Sequence, residues 1–361
     1  PIIAKEEDQD EACYRQFYEE AISLCRQKRF HEVLEKCRYT SLDDEEEYSI
    51  DVIQPEKIEF KQNSYEDGEN SIISFPEFLL LVLDVCTGGE QPASHYQPDK
   101  LIEKFDALKT YFTAGEFYEK MLYYRLLLDY YTIRRDIKDG QGNYSLILKG
   151  PKDDSDKLKQ YQSMLYVSTE AFYNWLKPYL RKLEQDELHS CAEMLAFLKK
   201  EDNERHSILP ARKDLSYKAS GNIRYWFWRL DYYLWEQRST FFNEEEQKIV
   251  EHYVFRRNRS IEHLHPQDES HNEEWEEEAV HSFGNLAMIS QSFNSQQSND
   301  HIQIKFARIH EQISNKSLQS IKMFLMCKLA DFNYLNWTMK LTKEHENEMI
   351  EFLERSFYIS D

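Results

Sequence analysis

The chain has 361 residues, 41% hydrophobic and 14% aromatic, with nine glycines and nine prolines. That length supports two or three domains with proper cores, that apolar content excludes a disordered chain, and so few turn residues point to long helices. A formal net charge of −21 excludes a generally basic, nucleic-acid-coating protein but leaves room for an enzyme with one local basic groove.

Residues 8–36 read as helix, with Tyr14, Phe17, Tyr18, Ala21, Ile22 and Leu24 at helical spacing. The acidic run 43–47 reads as a solvated turn, and residues 51–73 as irregular or short-stranded, broken at Pro55 and Gly68. Ser74 and Glu77 form an S-x-x-E capping box with Pro76 in the first turn, so the following FLLLVLDV is predicted to be a buried core helix. Residues 99–137 read as helical again, with an aromatic stripe that is far more often packing than base stacking. A turn at 140–143 leads into a short strand at 144–148. The loop at 150–158 marks the expected domain boundary, with one helical domain over residues 1–150 and a second over 151–361.

Residues 158–200 are predicted helical, with Tyr161, Met164, Leu165, Phe172, Trp175, Leu176 and Leu180 as core candidates. Residues 201–220 are polar and hold a modest basic cluster of Arg212, Lys213 and Lys218. An aromatic helix follows at 223–238. Asn243 with Glu246 gives an N-cap and N3 glutamate that start another, and residues 317–331 and 344–356 read as closing helices. The six cysteines, Cys13, Cys25, Cys37, Cys86, Cys191 and Cys327, form no C-x-x-C pair. Scattered in this way they read as reduced, mostly buried thiols of a cytoplasmic protein rather than a zinc site. The longest apolar run, residues 78–85, contains Asp84 and is far too short to span a bilayer; no signal-peptide pattern is present. The chain begins at Pro1 without a methionine, and the expectation is a piece of a longer protein with a domain upstream.

Chemistry concentrates between residues 260 and 305. A metal-dependent phosphodiesterase needs a base of near-neutral pKa to take a proton from water, and a hard cation to hold phosphate and leaving-group oxygens. Oxygen ligands suit magnesium, and one or two from the protein suffice because water and phosphate fill the rest. His263 suits the base role. Glu262 precedes it on a predicted strand that Pro266 ends, and Gly284 with Asn285 opens a second short apolar run. Asn294 and Asn299 lie in the polar start of a predicted helix, whose N-terminus would turn its positive end toward a phosphate. Arg256, Arg257 and Arg259 are the densest positive cluster nearby and read as phosphate-binding, as does Lys305, one turn from Arg308. His265 and His281 are read as supporting residues, and the acidic run 273–278 as a solvated loop.

The order E-H-L-H-P-Q, then H-S-F-G-N-L-A-M-I-S, then N-S-x-x-S-N with a downstream lysine resembles the HNH (His-Me finger) nuclease core. More closely, it resembles the C-terminal nuclease domain of GmrSD-type, modification-dependent (type IV) restriction enzymes. His263 and Pro266 match that family's H-x-x-P, Gly284, Asn285 and Leu286 match its G-N-L, and residues 294–305 match its asparagine–lysine tail. The resemblance implies a mainly α protein, a helical scaffold carrying a small ββα core at about 258–310. It implies His263 as general base, Glu262 and Asn294 as ligands for Mg2+ (or Mn2+), and Asn285 as the brace that keeps the base oriented. Where many HNH nucleases place Asp before the base histidine, this chain has Glu262. The implied activity is endonucleolytic cleavage of DNA, modified phage DNA included, in prokaryotic anti-phage defence. Such proteins place a nucleotide-dependent domain with a D-G-Q-x-R motif ahead of the nuclease half. No such motif occurs here, so that partner is expected upstream or on a separate polypeptide. Two alternatives stay open: a non-catalytic interaction module with a degenerate core, and an RNA-cleaving nuclease using the same chemistry.

Overall fold

The computed structural model describes residues 11–39, 68–137, 144–152, 155–168, 171–221, 223–257, 259–267, 275–290 and 302–358. It is mainly helical with two small antiparallel sheets, and it divides into two compact units. One comprises Pro1–Ser155 and Phe172–Met194, the other Asp156–Ala171 and Leu195–Asp361.

The first unit opens with α1 (Glu11–Arg26) and α2 (Phe30–Tyr39) where a single helix was expected. The break is at Lys28, which takes a left-handed conformation (φ 59°) while the Arg29 N–H reaches back to the Leu24 carbonyl at 2.9 Å. This is a Schellman-type stop with lysine where glycine is usual. After β1 (Gly68–Ser71), Ser74 and Glu77 close the expected capping box on α3 (Phe75–Cys86), whose Phe78, Leu80, Leu81, Val82 and Leu83 are core. Asp84, fully buried in that run, is balanced by the Lys177 ammonium at 2.9 Å. The expected helix at 99–137 is α4 (Leu101–Leu108), then α5 (Ala114–Tyr131) capped by Thr113 and Glu116, then β2 (Arg134–Ile137). β2 is the middle strand between β1 and β3 (Tyr144–Ile147), and this long-range pairing takes residues 134–137 out of the helix.

The chain enters the second unit with α6 (Ser155–Val167), returns to the first for α7 (Phe172–Glu184), and crosses again within α8 (Cys191–Arg205). The second unit is built on α9 (Arg224–Glu236), buried along its whole length from Tyr225 to Trp235. A helix enclosed on every side must also satisfy its polar groups internally. Arg229 does so on Asp202 (3.2 Å), Asn203 and Ser356, and Asp231 accepts from the Lys322 N–H (2.8 Å) and the Tyr253 hydroxyl. The aromatic run is therefore packing. α10 (Arg238–Phe241) and α11 (Glu244–Glu251, capped by Asn243 and Glu246) lead to β4 (Arg259–His263), α12 (Glu277–Val280) and β5 (Leu286–Ser290). β4 and β5 pair antiparallel, with Glu262 opposite Ala287 and His263 opposite Leu286. α13 (Ile302–Ser314), α14 (Ile321–Leu329) and α15 (Met339–Arg355) complete the unit, β5 packing on α9 and α14. Among the described residues no helix is long and apolar enough to cross a membrane.

Candidate active site

β4 ends at His263, and the residues that follow it are held by an amide from the other strand. Asn285 sits fully buried in the turn that opens β5. Its Oδ1 accepts the His265 N–H at 2.8 Å, and its Nδ2 donates to the His265 carbonyl at 2.9 Å and the Val280 carbonyl at 2.9 Å. The Trp337 indole N–H adds a bond to Oδ1 at 3.2 Å. Asn285 thus grips both backbone groups two residues past His263. The His265 ring stacks on Trp275, centroids 3.9 Å apart. Gly284 is required by a close approach, since a Cβ there would lie 2.3 Å from the Thr342 carbonyl oxygen of α15.

His263 is 5% exposed and lies among Tyr217, Gln267 and His281. The Gln267 amide nitrogen is 2.9 Å from its Nδ1, and His281 Nδ1 is 3.1 Å from its Nε2. The same amide nitrogen lies 3.2 Å from Nε2, so either ring nitrogen can accept from it. Burial pulls His263 down to about 3, with the neighbouring His281 and the Lys305 ammonium acting in the same direction. Burial also lowers His281, assisted by Lys218. Both imidazoles are therefore neutral at physiological pH, and His263, at about 3, lies well below the near-neutral value expected of a general base.

Glu262 is buried beside His263, and its carboxylate is met by the Lys305 ammonium, which also donates to the His263 carbonyl at 2.5 Å. Lys305, expected to reach phosphate, is 4% exposed because it shares the inward face of α13 with Ile302, Phe306 and Ile309. Among the expected phosphate ligands, Arg256 is exposed, and Arg259 opens β4 opposite Ser290. Arg257 lays its guanidinium on the Tyr166 ring, 4.0 Å from the centroid, and donates to the Tyr166 carbonyl. Asn294 and Asn299 lie outside the described residues. Of the hard oxygen ligands expected for Mg2+, the described residues thus contain Glu262. Among them no group of three or more His, Cys, Asp or Glu side chains converges as a metal cage.

The structure brings Glu262, His263, Asn285 and Lys305 together and adds residues that sequence reasoning did not single out for the site. Tyr217 lies on His263, Gln267 sits at its Nδ1, and Lys322 supports the turn from beneath, its buried ammonium donating to the carbonyls of Phe283 (2.8 Å) and Leu286 (2.6 Å). Gln267 had a local signal, one residue after the proline that ends β4. Tyr217 and Lys322 had none, being distant in sequence and placed by the tertiary fold.

Residues 199–352 match the family model described as GmrSD restriction endonucleases, C-terminal domain. No curated protein and no solved structure matches the chain.

Proposed function

We propose that the chain, whose residues 199–352 match the model for the C-terminal domain of GmrSD restriction endonucleases, is a DNA endonuclease with its site centred on His263. The observation that carries this reading is His263 at the end of β4, its Nδ1 2.9 Å from the amide nitrogen of the exposed Gln267, followed by a turn that Asn285 holds. In this reading β4, β5 and α13 form the ββα core of a His-Me finger. His263 takes the proton of the attacking water at Nδ1 once Gln267 yields that position. Glu262 and Asn294 would hold Mg2+ (or Mn2+), which supplies charge stabilisation at the phosphate and leaving oxygen. Lys305 holds the Glu262 carboxylate in place, and Arg256, Arg257 and Arg259 steady the phosphate backbone. The cleavage serves anti-phage defence in a prokaryotic cytoplasm, with a nucleotide-dependent domain upstream or on a separate polypeptide.

The test is side-by-side digestion of modified and unmodified DNA, and of RNA, with Mg2+ or Mn2+. Wild type cuts DNA and His263→Ala does not, with a loss of about 100-fold or more expected for removal of a general base. Equal behaviour of the two proteins on every substrate defeats the assignment, and cleavage of RNA alone transfers the chemistry to that substrate. One feature favours a second, non-catalytic reading: the Lys305 ammonium already neutralises Glu262. Calorimetric titration with Mn2+ separates the two, since binding lost in Asn294→Ala supports the metal site and no binding to wild type supports the second reading.

A further inference from the structure

The nuclease reading leaves residues 212–218 unassigned, although they carry three cations, Arg212, Lys213 and Lys218, against Asp214 in a chain of net charge −21. This segment reaches the site. A short 3-10 turn (Arg212–Leu215) is anchored by the fully buried Leu215, and the Tyr217 N–H then bonds the His281 carbonyl at 3.0 Å. That bond places the Tyr217 ring against both site histidines. Its centroid is 4.5 Å from His263 with the planes at 60°, and 5.8 Å from His281 with the planes only 15° apart. A residue serving only as a cover for these rings would be enclosed. Tyr217 is 43% exposed, with exposed lysines on either side of it at 213 and 218. Lys218 is partnered by Glu277 at the surface, an exposed pair of the kind that exchanges readily with an incoming phosphate.

We propose that Tyr217, flanked by Lys213 and Lys218, is a stacking platform for an unpaired nucleobase of the strand being cut. The inference rests on the nuclease reading and names its substrate class. An aromatic ring set among cations is the arrangement that binds single strands, the cations tracking phosphates while the ring takes a base face. A base inside an intact duplex has both faces covered by its neighbours. Tyr217 can therefore stack only on a base that is single-stranded, terminal or turned out of the helix. Because the ring touches His263, the stacked base belongs to a nucleotide adjoining the phosphate under attack.

The experiment uses the full chain and oligodeoxynucleotides of one sequence, as single strand, intact duplex and duplex with a one-nucleotide bulge, each with 2-aminopurine at the nucleotide beside the cut. Wild type should show a lower KM for the single strand or bulge than for the duplex. Binding to the His263→Ala protein, which holds substrate without cutting, should quench the 2-aminopurine fluorescence. Tyr217→Ala should raise KM on the unpaired substrates about tenfold and abolish the quenching. Tyr217→Phe should keep both properties, and Tyr217→Leu, which covers the histidines without an aromatic face, should behave as Ala and serves if the Ala variant unfolds. The proposal is overturned if KM is unchanged in Tyr217→Ala and Tyr217→Leu, if only kcat falls, or if Tyr217→Phe loses as much as Tyr217→Ala. A wild type that cuts the duplex well with no preference for unpaired substrate also overturns it while leaving the nuclease reading intact. A wild type that neither binds nor cuts any of the DNAs overturns the nuclease reading, and this inference with it.

Discussion

One amide, that of Asn285, makes four hydrogen bonds, which is the full capacity of an asparagine side chain. All four run to groups that are cut off from water, so truncation leaves each of them orphaned. Each such group costs about 1–3 kcal/mol, so Asn285→Ala should lower folding stability by roughly 3 kcal/mol or more. Urea denaturation checks this, and a loss below about 1 kcal/mol would show that the bonds are replaced by solvent. Asn285 was legible in the sequence because the residues around it form a compact signature, G-N-L after H-x-x-P. Tyr217 was not, because it lies in a polar stretch far upstream, and nothing local distinguishes a tyrosine that lands on a histidine from one that lies on the surface. Lys305 was legible as part of the motif but not in its orientation. The apolar positions 302, 306 and 309 surrounding it reveal that it sits on the inward face.

The element that supports the site is α14, whose Lys322 carries its ammonium into the core beneath residues 283–286. Burial pulls this lysine from 10.5 to about 7, against the upward influence of Asp231 and Glu346. Between those two values the unfolded chain holds a proton that the folded chain has released, so stability rises with pH across that window. Below it both states are protonated and the dependence vanishes. Lys322→Met, similar in volume and unable to titrate or donate, should therefore be less stable than wild type at about pH 7, with a gap that widens toward about pH 9.5. Denaturation of both proteins at the two pH values decides the matter, and a constant or narrowing gap would contradict the burial argument. At this scale the sequence was most informative where the signal was local. The capping boxes at Ser74 and Asn243 started their helices as expected, because an N-cap and its N3 partner are three residues apart. The break at Lys28 and the strand at 134–137 were missed for opposite reasons. Lysine carries no left-handed propensity to read, and β2 exists only through partners at 68–71 and 144–147.

At the level of the whole molecule the chain interleaves its two units, passing between them after Ser155, after Ala171 and after Met194. The last occurs inside α8, where no turn residue marks it. The family match begins at residue 199, whereas the unit that contains it also includes α6. From α6, Leu158, Tyr161, Met164 and Leu165 are core residues, the Tyr161 hydroxyl bonds Asp202 at 2.7 Å, and the Gln160 amide bonds the Tyr253 carbonyl at 3.0 Å. A polypeptide of residues 195–361 should consequently lack a cooperative thermal transition, and adding residues 156–171 in trans or through a linker should restore it. A sharp, reversible melt without α6 would show that the helix is dispensable.

The Gly284–Asn285 turn has a further property that follows from the order of synthesis. Lys322, Trp337 and Thr342, which close on it from below, all come after it in the chain. A ribosome that has released β4 and β5 has already produced His263 but none of these three contacts. A nascent chain, or one broken off before α15, carries His263 without the full bracing of the turn that follows. The native site is complete only once translation has passed into the closing helix.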